Sequence, residues 1–101
     1  MSLAIDIDRE RIAAFCRKWR IVEFSLFGSV LREDFGPDSD VDVMVSFAPD
    51  AGVGMHELYE MDQELREILG RKVDLVTRRA VEESRNWIRR SHILLNSERI
   101  L

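Results

Sequence analysis

The sequence predicts an α+β domain in which a small mixed β-sheet is flanked by helices. Two observations favour this class. Short segments with alternating apolar residues are typical of strands, and two longer segments carry apolar residues at the spacing of a helix. They lie within 101 residues that show no linker and no change of composition. We therefore expect a single compact domain over residues 1–101 with a modest hydrophobic core.

The first predicted element is an amphipathic helix from Asp8 to Arg20. Asp8 is a suitable N-cap, and the single cysteine lies on the apolar stripe, where a buried free thiol is the usual state. A lone cysteine also excludes an internal disulfide and suits a reducing compartment. The stripe consists of residues spaced three and four positions apart: Ile12, Phe15, Cys16 and Trp19.

A strand is predicted from Ile21 to Phe27, and a glycine–serine pair follows it. Gly28 would let the backbone approach a bulky anion, and Ser29 would add a hydroxyl donor. If Ser29 opens a short helical stretch over 29–34, its N–H groups would also face that anion. Alternation places two sets of side chains on opposite faces: Val22, Phe24 and Leu26 on one, and Glu23, Ser25 and Phe27 on the other.

The second strand, predicted from Asp40 to Phe47, carries two carboxylates. It follows a turn over 36–39, whose glycine and proline favour a chain reversal. Asp40 and Asp42 point to the same face, with Cα atoms roughly 6.5–7 Å apart, while the valines between and after them face the core. Neighbouring carboxylates on an otherwise apolar strand are costly without a cation. The pattern therefore favours a metal site on this face.

A second helix is predicted from Met55 to Leu69, with Gly70 as its C-cap. The strand that follows, Lys72 to Val76, again sets a carboxylate inside an apolar segment, because Asp74 faces away from the apolar residues beside it. A third helix is predicted to begin after Thr77, its N-cap. Its apolar side would carry Val81, Ser84 and Ile88 with Trp87 beside them, and residues 92–101 fit either further helix or a short edge strand.

The charge balance bears on possible partners. The formal net charge of −4 comes from 15 basic and 19 acidic residues, which disfavours a long nucleic acid as partner. Positive residues do concentrate in 71–79 and at Arg85, Arg89 and Arg90, as either a solvated helix face or a surface that docks a partner or steers phosphate. No apolar run approaches the ~20 residues of a membrane span. We expect a cytoplasmic protein without membrane association.

The segment over 28–45 resembles the signature of the DNA polymerase beta-like nucleotidyltransferase superfamily, a glycine–serine pair followed after ten residues by D-x-D on an apolar strand. More narrowly, it resembles minimal nucleotidyltransferase (MNT) domains, small prokaryotic proteins often encoded beside a HEPN-type partner. The resemblance covers about residues 21–76 and implies the nucleotidyltransferase fold. Leu31 and Glu33 differ from the small residue and the glycine that are usual there. The matching residues are Gly28, Ser29, Arg32, Ser39, Asp40 and Asp42.

The residue pattern alone supports metal-dependent triphosphate chemistry. The resemblance adds that Asp40, Asp42 and Asp74 are catalytic and hold Mg²⁺, with two ions per site. It also implies a set of ATP-binding residues. Arg32 would either neutralise triphosphate charge or fix the loop by pairing with an acidic neighbour. The nucleotide-binding set is Gly28, Ser29, Arg32 and Ser39.

Two classes of function are compatible with these residues. The resemblance implies transfer of AMP from ATP to a hydroxyl on a HEPN-type partner, so that the chain acts as an antitoxin. The alternative is a binding module that neutralises its partner by occlusion. Transfer to a small molecule is a third possibility, but it needs an acceptor pocket that a larger chain or a dimer usually builds. Both homo-oligomers and hetero-oligomers are compatible with the sequence.

Overall fold

The computed structural model describes residues 7–31, 36 and 39–101, except for the side chains of Ser29 and Leu31. The predicted bounds of the first strand and of the second helix are confirmed, and those of the first helix and of the other two predicted strands are confirmed to within one residue. The elements in chain order are α1 (Arg9–Trp19), β1 (Ile21–Phe27), a short 3₁₀ helix (Gly28–Leu31), β2 (Val41–Phe47), α2 (Met55–Leu69), β3 (Val73–Thr77), α3 (Arg78–Glu82), α4 (Trp87–Leu95) and β4 (Ser97–Arg99).

The strands of the described residues form one four-stranded sheet in the order β3-β2-β1-β4. β1 is antiparallel to both of its neighbours, whereas β2 and β3 are parallel. A parallel pair needs a crossover connection, and α2 supplies it. The predicted α+β class with a mixed sheet is therefore confirmed. None of the helices in the described ranges combines the length and apolar character that crossing a bilayer requires.

The main core lies between one face of the sheet and the helices α1 and α2. Phe15 of α1 meets Phe24 of β1 edge to face, with ring centroids 6.4 Å apart. Cys16 lies in the same core, where burial raises the pKa of its thiol to about 11 against a smaller opposing effect of Arg17. This confirms the buried thiol and makes it unreactive at neutral pH. Other fully buried members are Ile12, Leu26, Val41, Val43, Val45, Met61 and Leu65.

The opposite face of the sheet is only partly covered, by α3 and α4. Phe27 and Met44 of the sheet form a smaller apolar cluster there with Val81 of α3 and Ile93 of α4. Asp42 lies two residues before Met44 and therefore on this same face of β2. The carboxylate face predicted from the sequence is therefore the face that α3 and α4 leave partly open.

A β-bulge in β1 corrects the predicted position of Val22. Ile21 pairs with Phe47 and Glu23 pairs with Ser46. Between these two pairs β1 therefore contains one more residue than β2. The extra residue shifts the alternation. Ile21 is consequently buried, whereas Val22 is 55% exposed, and the prediction that Val22 shares a face with Phe24 and Leu26 is wrong.

The single helix predicted after Thr77 is also wrong, because the segment forms two helices. Thr77 is the expected N-cap, since its Oγ1 accepts a hydrogen bond from Ala80 N at 3.1 Å. α3 nevertheless ends at Glu82, and Asn86 caps a new helix by accepting from Arg89 N. Ile88, predicted on the apolar side, is 65% exposed. The last ten residues contain both of the structures considered, the end of a helix and a short edge strand.

Candidate active site

The centre of the site is a pair of carboxylates on neighbouring parallel strands. Asp42 of β2 and Asp74 of β3 are direct partners in the ladder. Partners in a ladder share a face, and adjacent strands lie ~4.8 Å apart, so the two side chains start side by side. The core residues Val43 and Leu75 alternate with them on the other face. The sequence predicted one carboxylate on each strand, and the structure places them in the same register.

Gly28 lies directly against the carboxyl group of Asp42. A Cβ atom at position 28 would come 3.1 Å from the carboxyl carbon of Asp42 and would overlap its Oδ2. The backbone of Gly28 also has a φ of 76°, in the left-handed region that disfavours other residues. The contact follows from β-pairing, because Phe27, the residue before Gly28, is the ladder partner of Asp42. Position 28 therefore needs a glycine both for its conformation and for the space that Asp42 occupies.

Asp40 lies just outside the ladder. It precedes the first residue of β2, and its side chain is exposed. The ladder begins at the next residue, where Val41 N donates to Lys72 O at 3.0 Å. Asp40 is thus next to a strand end that is fixed against β3. Its convergence with Asp42 and Asp74 on one metal stays a prediction from strand alternation.

Hydrogen bonds brace the backbone that leads into β2. Ser39 Oγ accepts from Gly36 N, and Ser39 N donates to Gly36 O, both at 3.1 Å. Arg71 Nη1 donates to the same Gly36 carbonyl at 3.0 Å. Ser39 therefore shapes the approach to Asp40, and its predicted contact with nucleotide stays a prediction. The sequence pattern indicates for Arg71 only membership of a positive cluster; its position between the C-cap of α2 and β3 is the one further signal.

Of two further predicted nucleotide-binding positions, Ser29 is described only in its backbone and Arg32 is not described. The backbone of Ser29 belongs to the short 3₁₀ helix over Gly28–Leu31, which agrees with the helical stretch expected after the glycine. The side chain of Ser29 lies outside the described part of the chain, as does the whole of Arg32. Their roles toward a triphosphate stay predictions.

The donor chemistry of the carboxylates fits Mg²⁺ bound together with a substrate. Among the described residues, no three carboxylate, histidine or cysteine side chains are arranged to hold a metal ion by themselves. Mg²⁺ does not require such a cage, because it binds through one or two carboxylates and completes its octahedron with water and substrate phosphates. The adjacent pair Asp42 and Asp74, approached closely by the backbone of Gly28, suits this mode of binding.

The positive cluster of the C-terminal third is partly neutralised by ion pairs. Arg78 Nη1 lies 3.1 Å from Glu23 Oε2, and Arg78 also pairs with Glu82. Glu23 accepts a further hydrogen bond from Ser46 Oγ, at the opposite end of β2 from Asp42. Arg79 pairs with Glu83, the residue that caps the C-terminus of α3. These pairs favour the solvated-face interpretation for Arg78 and Arg79 rather than a phosphate-steering surface.

Sequence comparisons agree with this architecture. The nucleotidyltransferase domain family matches residues 9–97. A relative from Methanocaldococcus jannaschii, described as a "putative protein adenylyltransferase", is 36% identical over 64 residues, 63% of this chain and 64% of the relative. Another relative from that organism with the same description is 32% identical over 79 residues, 76% of this chain and 76% of the relative. The match to the first relative thus covers slightly less than two thirds of that protein.

Solved structures share the fold. A toxin–antitoxin with AMP-PNP has a TM-score of 0.72 at 22% identity, covering 94% of this chain and 73% of that chain. A "putative minimal nucleotidyltransferase" has a TM-score of 0.68 at 28% identity, covering 89% and 86%. A tri-AMPylated Shewanella oneidensis HEPN toxin in complex with MNT antitoxin gives 0.63 at 21% identity, covering 92% and 68%.

The family match extends from α1 to β4 and includes both carboxylate-bearing strands. The solved minimal nucleotidyltransferase superposes over most of both chains, in agreement with the resemblance stated from the sequence. On these grounds the chain belongs to the nucleotidyltransferase domain family and resembles its minimal members.

Proposed function

We propose that this chain is a metal-dependent nucleotidyltransferase that moves AMP from ATP to a hydroxyl group of a HEPN-type protein partner, acting as an antitoxin. The observation that carries the proposal is the pairing of Asp42 with Asp74 across β2 and β3, with Gly28 against the Asp42 carboxyl group. A pair of side chains buried for structural reasons would be apolar or oppositely charged. Two adjacent carboxylates that reach solvent instead suit a divalent cation, and the bound cation in turn suits a polyanion such as a triphosphate.

Each residue has a role in this proposal. Asp40 and Asp42 would hold Mg²⁺, and Asp74 would help to hold it. Bound Mg²⁺ supplies positive charge to the triphosphate and lowers the pKa of an acceptor hydroxyl. Gly28 and Ser29 would bind phosphate oxygens through backbone N–H groups. Arg32 and Ser39 are the remaining proposed nucleotide contacts.

The reaction is an in-line displacement at the α-phosphorus. A bond forms from the acceptor oxygen to the α-phosphorus while the bond to the oxygen that bridges to the β-phosphorus breaks, and pyrophosphate leaves. The acceptor proton passes to a carboxylate, for which Asp74 is suited because it is exposed and beside Asp42. Proton transfer to a positioned carboxylate is ordinary general-base chemistry.

The relatives support the choice of donor and acceptor. The M. jannaschii relatives are described as "putative protein adenylyltransferase". One structural neighbour is a toxin–antitoxin with AMP-PNP, and another joins an MNT antitoxin to an AMPylated HEPN toxin. We extend these properties to the present chain as part of the proposal, together with a cytoplasmic location and assembly with the partner.

Occlusion of the partner without catalysis is the second candidate. It is favoured by an apolar surface on α4, where Trp87, Ile88 and Leu95 are 64%, 65% and 83% exposed. Such a surface is typical of protein contacts. It would serve docking in either case, so the two candidates differ in whether Asp42 is required.

The test is to incubate the protein with each α-labelled nucleoside triphosphate, Mg²⁺ and the protein encoded beside it. Asp42→Ala is compared with Asp50→Ala, which removes an exposed carboxylate that pairs with Arg20 far from the site. Label is expected on the partner, with ATP as donor, for the wild type and Asp50→Ala only. Neutralisation of the partner by Asp42→Ala without any labelling would support occlusion and contradict the proposed transfer.

A further inference from the structure

Asp40 differs from the other two carboxylates in how its position is fixed. Asp42 and Asp74 lie inside strands and are direct ladder partners, so the pairing of β2 with β3 determines their positions. Asp40 precedes β2 and lies outside the pairing register of β2 with β3, which begins at Val41. The backbone that leads into the strand therefore helps to set its distance from the other two carboxylates.

That backbone is held at two points. Downstream of Asp40, Val41 N donates to Lys72 O at 3.0 Å. Upstream, the reciprocal hydrogen bonds between Gly36 and Ser39 close the chain on itself at 3.1 Å each. The upstream closure is local, so by itself it does not fix Gly36 and Ser39 against β3.

Arg71 supplies the missing connection. Its Nη1 donates to Gly36 O at 3.0 Å, across 35 positions of sequence, and the side chain is half-buried. Gly70, the left-handed C-cap of α2, directs the chain from the helix toward β3, so Arg71 stands three positions before Asp74. The same short segment thus provides the Lys72 carbonyl, the Arg71 guanidinium and the Asp74 carboxylate.

We propose that Arg71 is a positioning residue that sets Asp40 against Asp42 and Asp74 by fixing Gly36 to the start of β3. This inference rests on the metal-dependent transfer proposed above. Arg71 itself touches neither metal nor nucleotide in this role. Residues that orient metal ligands typically contribute about 10- to 100-fold to metal affinity or activity.

The geometry is tested by amide hydrogen exchange. In Arg71→Ala, the Ser39 amide is expected to exchange faster because its acceptor, Gly36 O, has lost the second donor that holds it in place. The Val43 amide, within β2, is expected to stay protected. Arg66→Ala is the matched control, because Arg66 pairs with Asp62 on the surface of α2. Unchanged Ser39 exchange in Arg71→Ala would contradict the proposal.

The consequence for the site is tested by Mn²⁺ binding, measured by electron paramagnetic resonance with α,β-methylene-ATP present, a nucleotide that cannot undergo the transfer. Arg71→Ala is expected to bind Mn²⁺ about 10- to 100-fold more weakly than the wild type and Arg66→Ala. Its affinity for the nucleotide without divalent metal is expected to be unchanged. Equal Mn²⁺ affinity would overturn the proposal, and so would an equal loss of metal-free nucleotide affinity, which would place Arg71 on the triphosphate.

Mn²⁺ binding distinguishes a failure of the proposed transfer from a failure of the role proposed for Arg71. If the wild type shows no nucleotide-linked Mn²⁺ site, the proposed transfer fails and the role of Arg71 fails with it. If the wild type has that site and Arg71→Ala retains it unchanged, only the role of Arg71 is wrong.

Discussion

The two faces of one sheet differ in what their side chains touch. Toward α1 and α2, Phe24 and Val43 have no exposed surface and lie among apolar neighbours. Toward the other side, Asp42 and Asp74 lie next to each other and reach solvent. β2 supplies one residue to each set, Val43 and Asp42, because successive residues of a strand point to opposite faces. This strand thus contributes to both the core and the candidate site.

This arrangement separates stability from chemistry. A residue on the packed face contributes mainly by burial and packing, whose loss is felt throughout a small domain. A carboxylate on the open face contributes little to packing, and its proximity to another carboxylate is unfavourable unless a cation is bound. Substitutions on the two faces should therefore change different measurements.

Phe24→Ala is expected to have the largest effect on stability. The ring is fully buried and packs edge to face on Phe15, so its removal should lower the free energy of unfolding by about 3–5 kcal/mol. Denaturant titration measures this value. The molecules that remain folded should still bind Mg²⁺ and nucleotide with the affinity of the wild type. A loss below ~1 kcal/mol would contradict the assignment of Phe24 to the core.

Gly28→Ala is expected to lower both the stability of the fold and the affinity of the site for metal. The left-handed φ at this position should cost about 1–2 kcal/mol of unfolding free energy. The added Cβ would also displace the Asp42 carboxyl group, so nucleotide-linked metal binding should weaken beyond what the stability loss explains. Gly52→Ala is the matched control, because Gly52 also has a positive φ but has no atom within 4 Å of an added Cβ. Equal metal binding in both variants would contradict the contact between Gly28 and Asp42.

Asp74→Asn is expected to have the smallest effect on stability, and with the opposite sign. Like charges directly opposite each other on adjacent strands are unfavourable, so neutralising one should raise the unfolding free energy by ~0.2–1 kcal/mol in the absence of metal. Transfer activity should fall about 100- to 1,000-fold, because charge stabilisation at the reacting phosphate is lost. Thermal unfolding without divalent ions, paired with the transfer assay, measures both. A destabilised variant that keeps full activity would show that Asp74 is structural.

Much of the fold could be predicted because its signals are local. β1 ends at a glycine, and α2 combines a clear apolar stripe with a glycine C-cap, so both were bounded correctly. The bulge at Val22 could not be predicted, because it depends on how β1 pairs with β2. The division of the last helix had a local signal in Asn86, a good N-cap, but apolar spacing suggested one continuous helix.

The candidate site could be predicted in composition but not in register. Strand alternation indicated that Asp42 and Asp74 face away from the core, yet their direct pairing depends on the parallel alignment of two strands joined by a helix. The contact of Gly28 with Asp42 follows from the antiparallel pairing of Phe27 with Asp42, which also depends on strand register. Arg71 was missed because its acceptor is a backbone carbonyl far away in sequence, which leaves no mark on residue type.

The account depends on Asp42 and Asp74 together binding a divalent cation with ATP. Isothermal titration with α,β-methylene-ATP, with and without Mg²⁺, tests this directly on the wild type and on Asp42→Asn, which keeps the size of the side chain and removes its charge. We predict binding to the wild type that strengthens at least about 10-fold with Mg²⁺, and no such strengthening in Asp42→Asn. The same Mg²⁺-dependent gain in both proteins would contradict the account.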